Sequence, residues 1–229
     1  MSEPAQIERP AVLAAAIAAL AGAGLALALA LWDVSVRQES LPAVVAIDQP
    51  ALEAALSDAP VVDSSDEDSD KQQSDSDDDD DDTQVVWLVT APDCNACREF
   101  ERATMTRLLD AGVEVRAILV APRSLADGSP GAQDVARLLK DRDWTSVHLW
   151  MQGKHEAVSD EPLDPAEQEG LLEWSRQSAE RIANVMKRND LPFDEPMLLW
   201  RNGPEWRVSV RPSEPAYREI ERELAAPKA

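Results

Sequence analysis

Cys94 and Cys97 are the only two cysteines in a chain of 229 residues. They stand two residues apart in TAPDCNACREF, residues 90–100, directly after the apolar run VVWLV. Three kinds of chemistry use such a pair. A structural zinc site wants four ligands, and the only histidines, His148 and His155, are distant and seven residues apart. A static disulfide closing so short a loop constrains little of the unfolded chain. Thiol–disulfide exchange needs what the pair offers: one thiolate to attack a disulfide sulfur and a second thiol to resolve the mixed disulfide. Exchange is therefore the favoured reading. The alternative is a membrane-anchored binding or chaperone module whose cysteines form a static disulfide.

The flanking elements decide which sulfur does what. VVWLV reads as a buried central strand, and a helix begins at the cysteines. A helix N-terminus offers unpaired N–H groups and partial positive charge to Cys94, favouring its thiolate. Cys97, one turn further in, should be more buried. Cys94 is thus the expected nucleophile and Cys97 the resolving thiol. Asp93 opposes thiolate formation and Arg98 offsets it, so a moderate pKa depression is expected. No metal or other cofactor is called for.

The helix CREFERATMTRLLDAG stops at Gly112, and VEVRAILVAP forms a second strand ending at Pro122. Strand–helix–strand implies a parallel pair with a right-handed crossover. AQDVARLLKDR and DPAEQEGLLEWSRQSAERIANVMKRND carry helical patterns. The second has Leu171, Leu172, Trp174, Ile182, Val185 and Met186 as its apolar positions. VHLWM between them suits a short strand or a helical subdomain. PMLLWRNGPEWRVSV reads as a hairpin turning at RNGP, and PAYREIEREL as a closing amphipathic helix. The expected fold is α/β, with a helical insertion.

The first third of the chain has a different composition. Residues 1–10 form a short head, and residues 11–32 an apolar segment long enough to span a bilayer core. That segment is expected to be a transmembrane anchor, with a cleaved signal segment as the alternative. Residues 33–84 read as a juxtamembrane segment, where QPALEAAL suits a short helix, followed by an acidic tract over 61–84. Of the formal net charge of −22, half lies in residues 63–82, with twelve acids and one lysine. Such a tract is expected to be a disordered tether. The acidic balance excludes a nucleic-acid partner, because phosphate recognition needs a basic face. The globular domain is expected over 85–229. In a bacterium this order places the anchor in the inner membrane and the catalytic domain in the periplasm, where disulfides persist.

The globular part resembles the thioredoxin-like domain of the periplasmic DsbC/DsbG disulfide isomerase family. DCNACREF is similar to that family's Cys-x-x-Cys followed by a basic residue. AGVEVRAILVAPR resembles its strand ending in Pro-Arg, here Pro122 and Arg123, and NDLPFDEPMLLWRNG its loop, apolar strand and Asn-Gly turn. The resemblance implies a thioredoxin-like fold and isomerase or reductase activity on proteins bearing thiols or disulfides. It also implies a membrane or periplasmic redox partner. It puts Pro196 at the family's cis-proline, with residue 195 presenting its backbone to substrate, and makes Arg123 a candidate for tuning the thiols. The chain departs from the pattern at Glu195, where a small or branched residue is usual, and lacks a recognisable dimerisation domain. Thioredoxin's own buried acid, six residues before the first cysteine, is here Leu88. Core packing accounts for the tryptophans, and neither histidine is assigned a catalytic role.

Overall fold

The computed structural model describes residues 42–65, 83–92, 94–121 and 128–224. Among these, no helix is long and apolar enough to cross a membrane, and residues 11–32 lie outside them. Six strands form one mixed sheet in the order β1-β6-β5-β3-β4-β2. β3 (Val85–Thr90) and β4 (Glu114–Leu119) are the expected parallel pair. β5 (Met197–Asn202) runs antiparallel to β3 and is joined to β6 (Glu205–Val210) by a two-residue turn. A parallel strand–helix–strand unit continuing into an antiparallel hairpin and a terminal helix is a thioredoxin-like arrangement.

Three short elements precede that unit and correct the expectation that the domain begins at residue 85. β1 (Ala43–Val45) pairs with β6, and β2 (Val61–Asp63) pairs with β4. Between them lies α1 (Gln49–Ser57), with proline in its first turn. The physical reason is local. Val45 and Val62 are fully buried, and Asp63, the first acid of the charged tract, pairs with Arg116 at 3.2 Å. Ser64 Oγ accepts from the Val115 amide at 2.9 Å, fastening the end of β2. The tether reading changes with this. Residues 66–82 lie outside the described residues, but their flanks enter β2 and β3, each bonded to β4. Asp63 stands opposite Arg116, and Val85 opposite Glu114. Both roots of the tract therefore lie on one sheet, two strand spacings or roughly 10 Å apart.

The sheet is covered on both faces. On one, Val86 and Leu88 of β3 and Leu198 and Trp200 of β5 pack under the helix that follows the cysteines, the insertion and α7 (Glu214–Leu224). The cysteine helix comprises α2 (Asn95–Phe100), a π-helical turn (Glu101–Met105) and α3 (Thr106–Asp110). It ends at Gly112, whose φ of 76° suits a residue without Cβ. The insertion comprises α4 (Pro130–Asp141), α5 (Trp144–Met151) and a 3₁₀ turn (His155–Ala157). VHLWM therefore belongs to a helix. On the other face, Val89, Met197 and Leu199 pack against α1 and the long α6 (Pro165–Arg188). Leu52, Ala55 and Leu56 of α1 meet Ala179, Ile182, Val185 and Met186 of α6 in one cluster.

Asp164 caps α6 by accepting from the Ala166 and Glu167 amides at 2.9 and 3.2 Å. Almost three turns into that helix, Ser175 Oγ donates to the Leu119 carbonyl at 2.7 Å and accepts from the Ala121 amide at 2.9 Å. A buried serine thus satisfies the backbone where β4 ends, at the same end of the sheet as the cysteines.

Candidate redox site

β3 ends at Thr90, and Cys94 is the N-cap of α2 with extended backbone, φ −76° and ψ 100°. The two sulfurs are joined, with Cα atoms 5.2 Å apart. The Cys97 amide donates to Cys94 Sγ at 3.0 Å, so a free helix N–H is directed at the first sulfur. Cys94 is partly exposed, whereas Cys97 is buried at 2% exposure. Of the two sulfur-bearing residues, Cys94 is the one open to solvent.

Of the other residues that the sequence singled out, Arg98 lines the pocket holding both cysteines, and its Nη2 donates to Asn95 Oδ1. Asp93 and Arg123 lie outside the described residues. The Glu195–Pro196 peptide is cis, as the resemblance implied. The last β3–β5 pair is Val89 with Met197, so the register continued by one residue sets Pro196 opposite Thr90, and Thr90 lines the cysteine pocket. Pro196 itself is buried, and its carbonyl accepts from the Arg211 amide at 2.7 Å.

Glu195 is half-buried and lines a different opening. With Phe193, Val120, Ala121 and Ala179 it borders a mostly apolar groove of about 370 Å³ along α6. Burial raises the Glu195 carboxyl above the ordinary carboxylate range. Its backbone amide and Arg211 pull it partly back, and neighbouring Asp194 pushes it further up. Arg211 is held at Asp194, Nη1 to Oδ2 3.0 Å.

The insertion brings in residues to which the sequence reading gave no catalytic role. His155 and Trp150 line the cysteine pocket. His155 Nδ1 lies 2.9 Å from Oδ2 of Asp134, a carboxylate on α4 that also accepts from Trp150 Nε1 at 3.3 Å. Gly153, φ 86°, turns the chain here, and a Cβ on it would meet Arg98 Cδ at 3.7 Å, so the insertion rests on the cysteine helix. Further along that helix, buried Glu101 accepts from Gln152 Nε2 at 2.9 Å, with His148 Nε2 3.5 Å away. No short-range motif announces these meetings: Asp134 and His155 are 21 residues apart. Among the described residues, no cluster of three or more His, Cys, Asp or Glu could hold a metal ion.

No protein-family model and no curated protein matches the chain. Solved structures similar to it include the catalytic domain of ScsC from Proteus mirabilis, with a TM-score of 0.42 at 14% identity, covering 76% of this chain and 95% of that one. BcfH from Salmonella enterica Typhimurium gives 0.44 at 13% identity, covering 96% of each chain. A linker-deleted ScsC variant from Proteus mirabilis gives 0.44 at 14%, covering 97% of each. The thioredoxin-like assignment itself stands on this chain's strand order and on a Cys-x-x-Cys disulfide at the N-cap of the helix after β3.

Proposed function

We propose that the chain is a thiol–disulfide oxidoreductase acting on protein disulfides through Cys94 and Cys97. The observation that carries this reading is the asymmetry of the pair: a partly exposed N-cap sulfur that accepts a helix amide, joined to a buried sulfur one turn in. In the reducing direction the Cys94 thiolate attacks a substrate disulfide. A mixed disulfide forms and the first substrate sulfur leaves with the electron pair. Cys97 then attacks Cys94 Sγ, closes the intramolecular disulfide and releases the second substrate sulfur. If instead the substrate's own second thiol attacks the mixed disulfide, the result is isomerisation.

The substrate docks in extended form beside Glu195 and Pro196, pairing with the backbone of residue 195. A membrane or periplasmic redox partner resets the cysteines. Residues 11–32 serve as the anchor or signal segment, placing the redox domain in the periplasm at a bacterial inner membrane. The resemblance to the DsbC/DsbG domain supports isomerase or reductase work.

Insulin reduction and refolding of scrambled ribonuclease by the full chain, with Cys94→Ala as control, test this reading. Refolding without net reduction identifies an isomerase, and net reduction a reductase. Absence of Cys94-dependent turnover in both assays would leave the binding module with a static disulfide. Carbonate extraction of cell membranes separates an anchored chain from a released one.

A further inference from the structure

The pocket around the disulfide has two walls. The strand–helix unit supplies Thr90, Cys94, Cys97 and Arg98, and the insertion supplies Trp150 and His155. Asp134, buried at 8% exposure, is held by Trp150 Nε1 and in turn holds His155 at Nδ1. A carboxylate on one ring nitrogen fixes the tautomer, with hydrogen on Nδ1 and the lone pair on Nε2. The imidazole is therefore oriented and has one nitrogen available for proton transfer.

The cysteines' needs differ. Cys94 already receives the Cys97 amide. Cys97 is buried, must lose a proton before it can attack, and has Leu88 rather than an acid on the strand behind it. A second observation points to the same place. Thr90 lines the pocket and is fully buried, and its Oγ1 has no hydrogen-bond partner among the described residues. A hydroxyl in that pocket is a donor available to a sulfur anion produced there by reduction.

We propose that His155, oriented by Asp134, is the acid–base group for the resolving thiol. This rests on the oxidoreductase reading above. As Cys97 attacks, its proton passes to His155 Nε2. The Cys97–Cys94 bond forms, the bond from Cys94 to the substrate sulfur breaks, and the electron pair leaves on that sulfur. The departing thiolate recovers a proton from the imidazolium. Running backwards, the same group protonates Cys97 as the intramolecular disulfide opens. The charged groups around this exchange are Arg98 from the cysteine helix and Asp134 from α4, with Glu101 and His148 beyond them. Lys154 and Glu156 flank the histidine in sequence.

The test is stopped-flow reaction of the reduced full chain with an aromatic disulfide that releases a coloured thiol at each step. The first release reports attack by Cys94, and the second reports ring closure by Cys97. The His155→Gln variant is expected to keep the first rate within about twofold and slow the second by ~10-fold or more. The wild-type closure profile against pH should carry one ionisation that the variant lacks. Asp134→Asn should slow closure less, because the imidazole remains but loses its orientation. Free imidazole should restore closure to His155→Ala, a rescue that a merely structural role would not give. Unchanged closure in His155→Gln, or equal slowing of both steps without imidazole rescue, overturns the assignment. A wild-type protein with no first release fails at the oxidoreductase reading itself, and the proposal falls with it.

Discussion

The two faces of the sheet are built from different materials. The face under α1 and α6 is an apolar cluster, with Leu52, Leu56, Ile182, Val185 and Met186 closing on Val89, Met197, Leu199 and Trp206. The face under the cysteine helix and the insertion is also apolar, but both buried carboxylates, Glu101 and Asp134, lie on it. Each has found a partner: Gln152 and His148 for the first, Trp150 and His155 for the second. Burying a carboxylate is costly unless hydrogen bonds replace its water. One side of the molecule holds the sheet together, and the other spends stability on polar groups set around a pair of sulfurs.

The sharpest way to break this contrast is at the sulfurs. Cys94→Ala should abolish disulfide exchange, a fall of at least ~10³-fold in insulin turnover, while far-ultraviolet circular dichroism stays unchanged. Truncation to residues 85–229 should do the reverse. Removing β1, α1 and β2 bares the β6 and β4 edges and uncovers Ile182 and Met186. The fragment is therefore expected to lose cooperative thermal unfolding, or to aggregate, with the cysteines intact. Ile182→Ala sharpens the same point at smaller cost. It should destabilise by about 3 kcal/mol, lowering Tm by ~9 °C, with the rate of Cys94 alkylation in the folded, reduced protein unaltered.

The parallel β3–β4 pair, the β5–β6 hairpin and the position of the cysteines at a helix start are legible in the sequence because each rests on local pattern. Apolar runs of five or six residues, an Asn-Gly turn and an N-cap position need no long-range knowledge. β1 and β2 are not legible. Three residues cannot display a period of two, and Val61–Asp63 adjoins a tract whose charge argues against any order. Their stability comes from partners far along the chain. Asn189 binds both the amide and the carbonyl of Ile47, at 2.7 and 2.9 Å, and Trp174 Nε1 donates to the Asp58 carbonyl at 2.8 Å. The surroundings of His155 are illegible for a similar reason: Asp134 reaches it only through the packing of the insertion.

The smallest expected effect concerns Glu195, which stands apart from the cysteine pocket. Its carboxyl is raised in the folded protein, chiefly by burial. Its contribution to stability is therefore full below the ordinary carboxylate range and is lost as pH rises through the raised folded value. Glu195→Gln should consequently stabilise at pH 7 and do little at pH 4. Partial exposure limits the gain to a few tenths of a kcal/mol, ~1 °C in Tm, and thermal melts at the two pH values would check it.

The roots of the acidic tract carry one more consequence. Asp63 and Val85 lie at the start of the parallel strands, while Cys94 follows their far end, six residues of β3 away. That is roughly 20 Å of extended backbone, more than twice the ~8 Å over which physiological salt lets charges feel one another. A change of charge at either root, Asp63 or Val85, is thus expected to be felt little at the sulfur. The sheet keeps its acidic insertion point and its sulfur pair at opposite ends of the same strand.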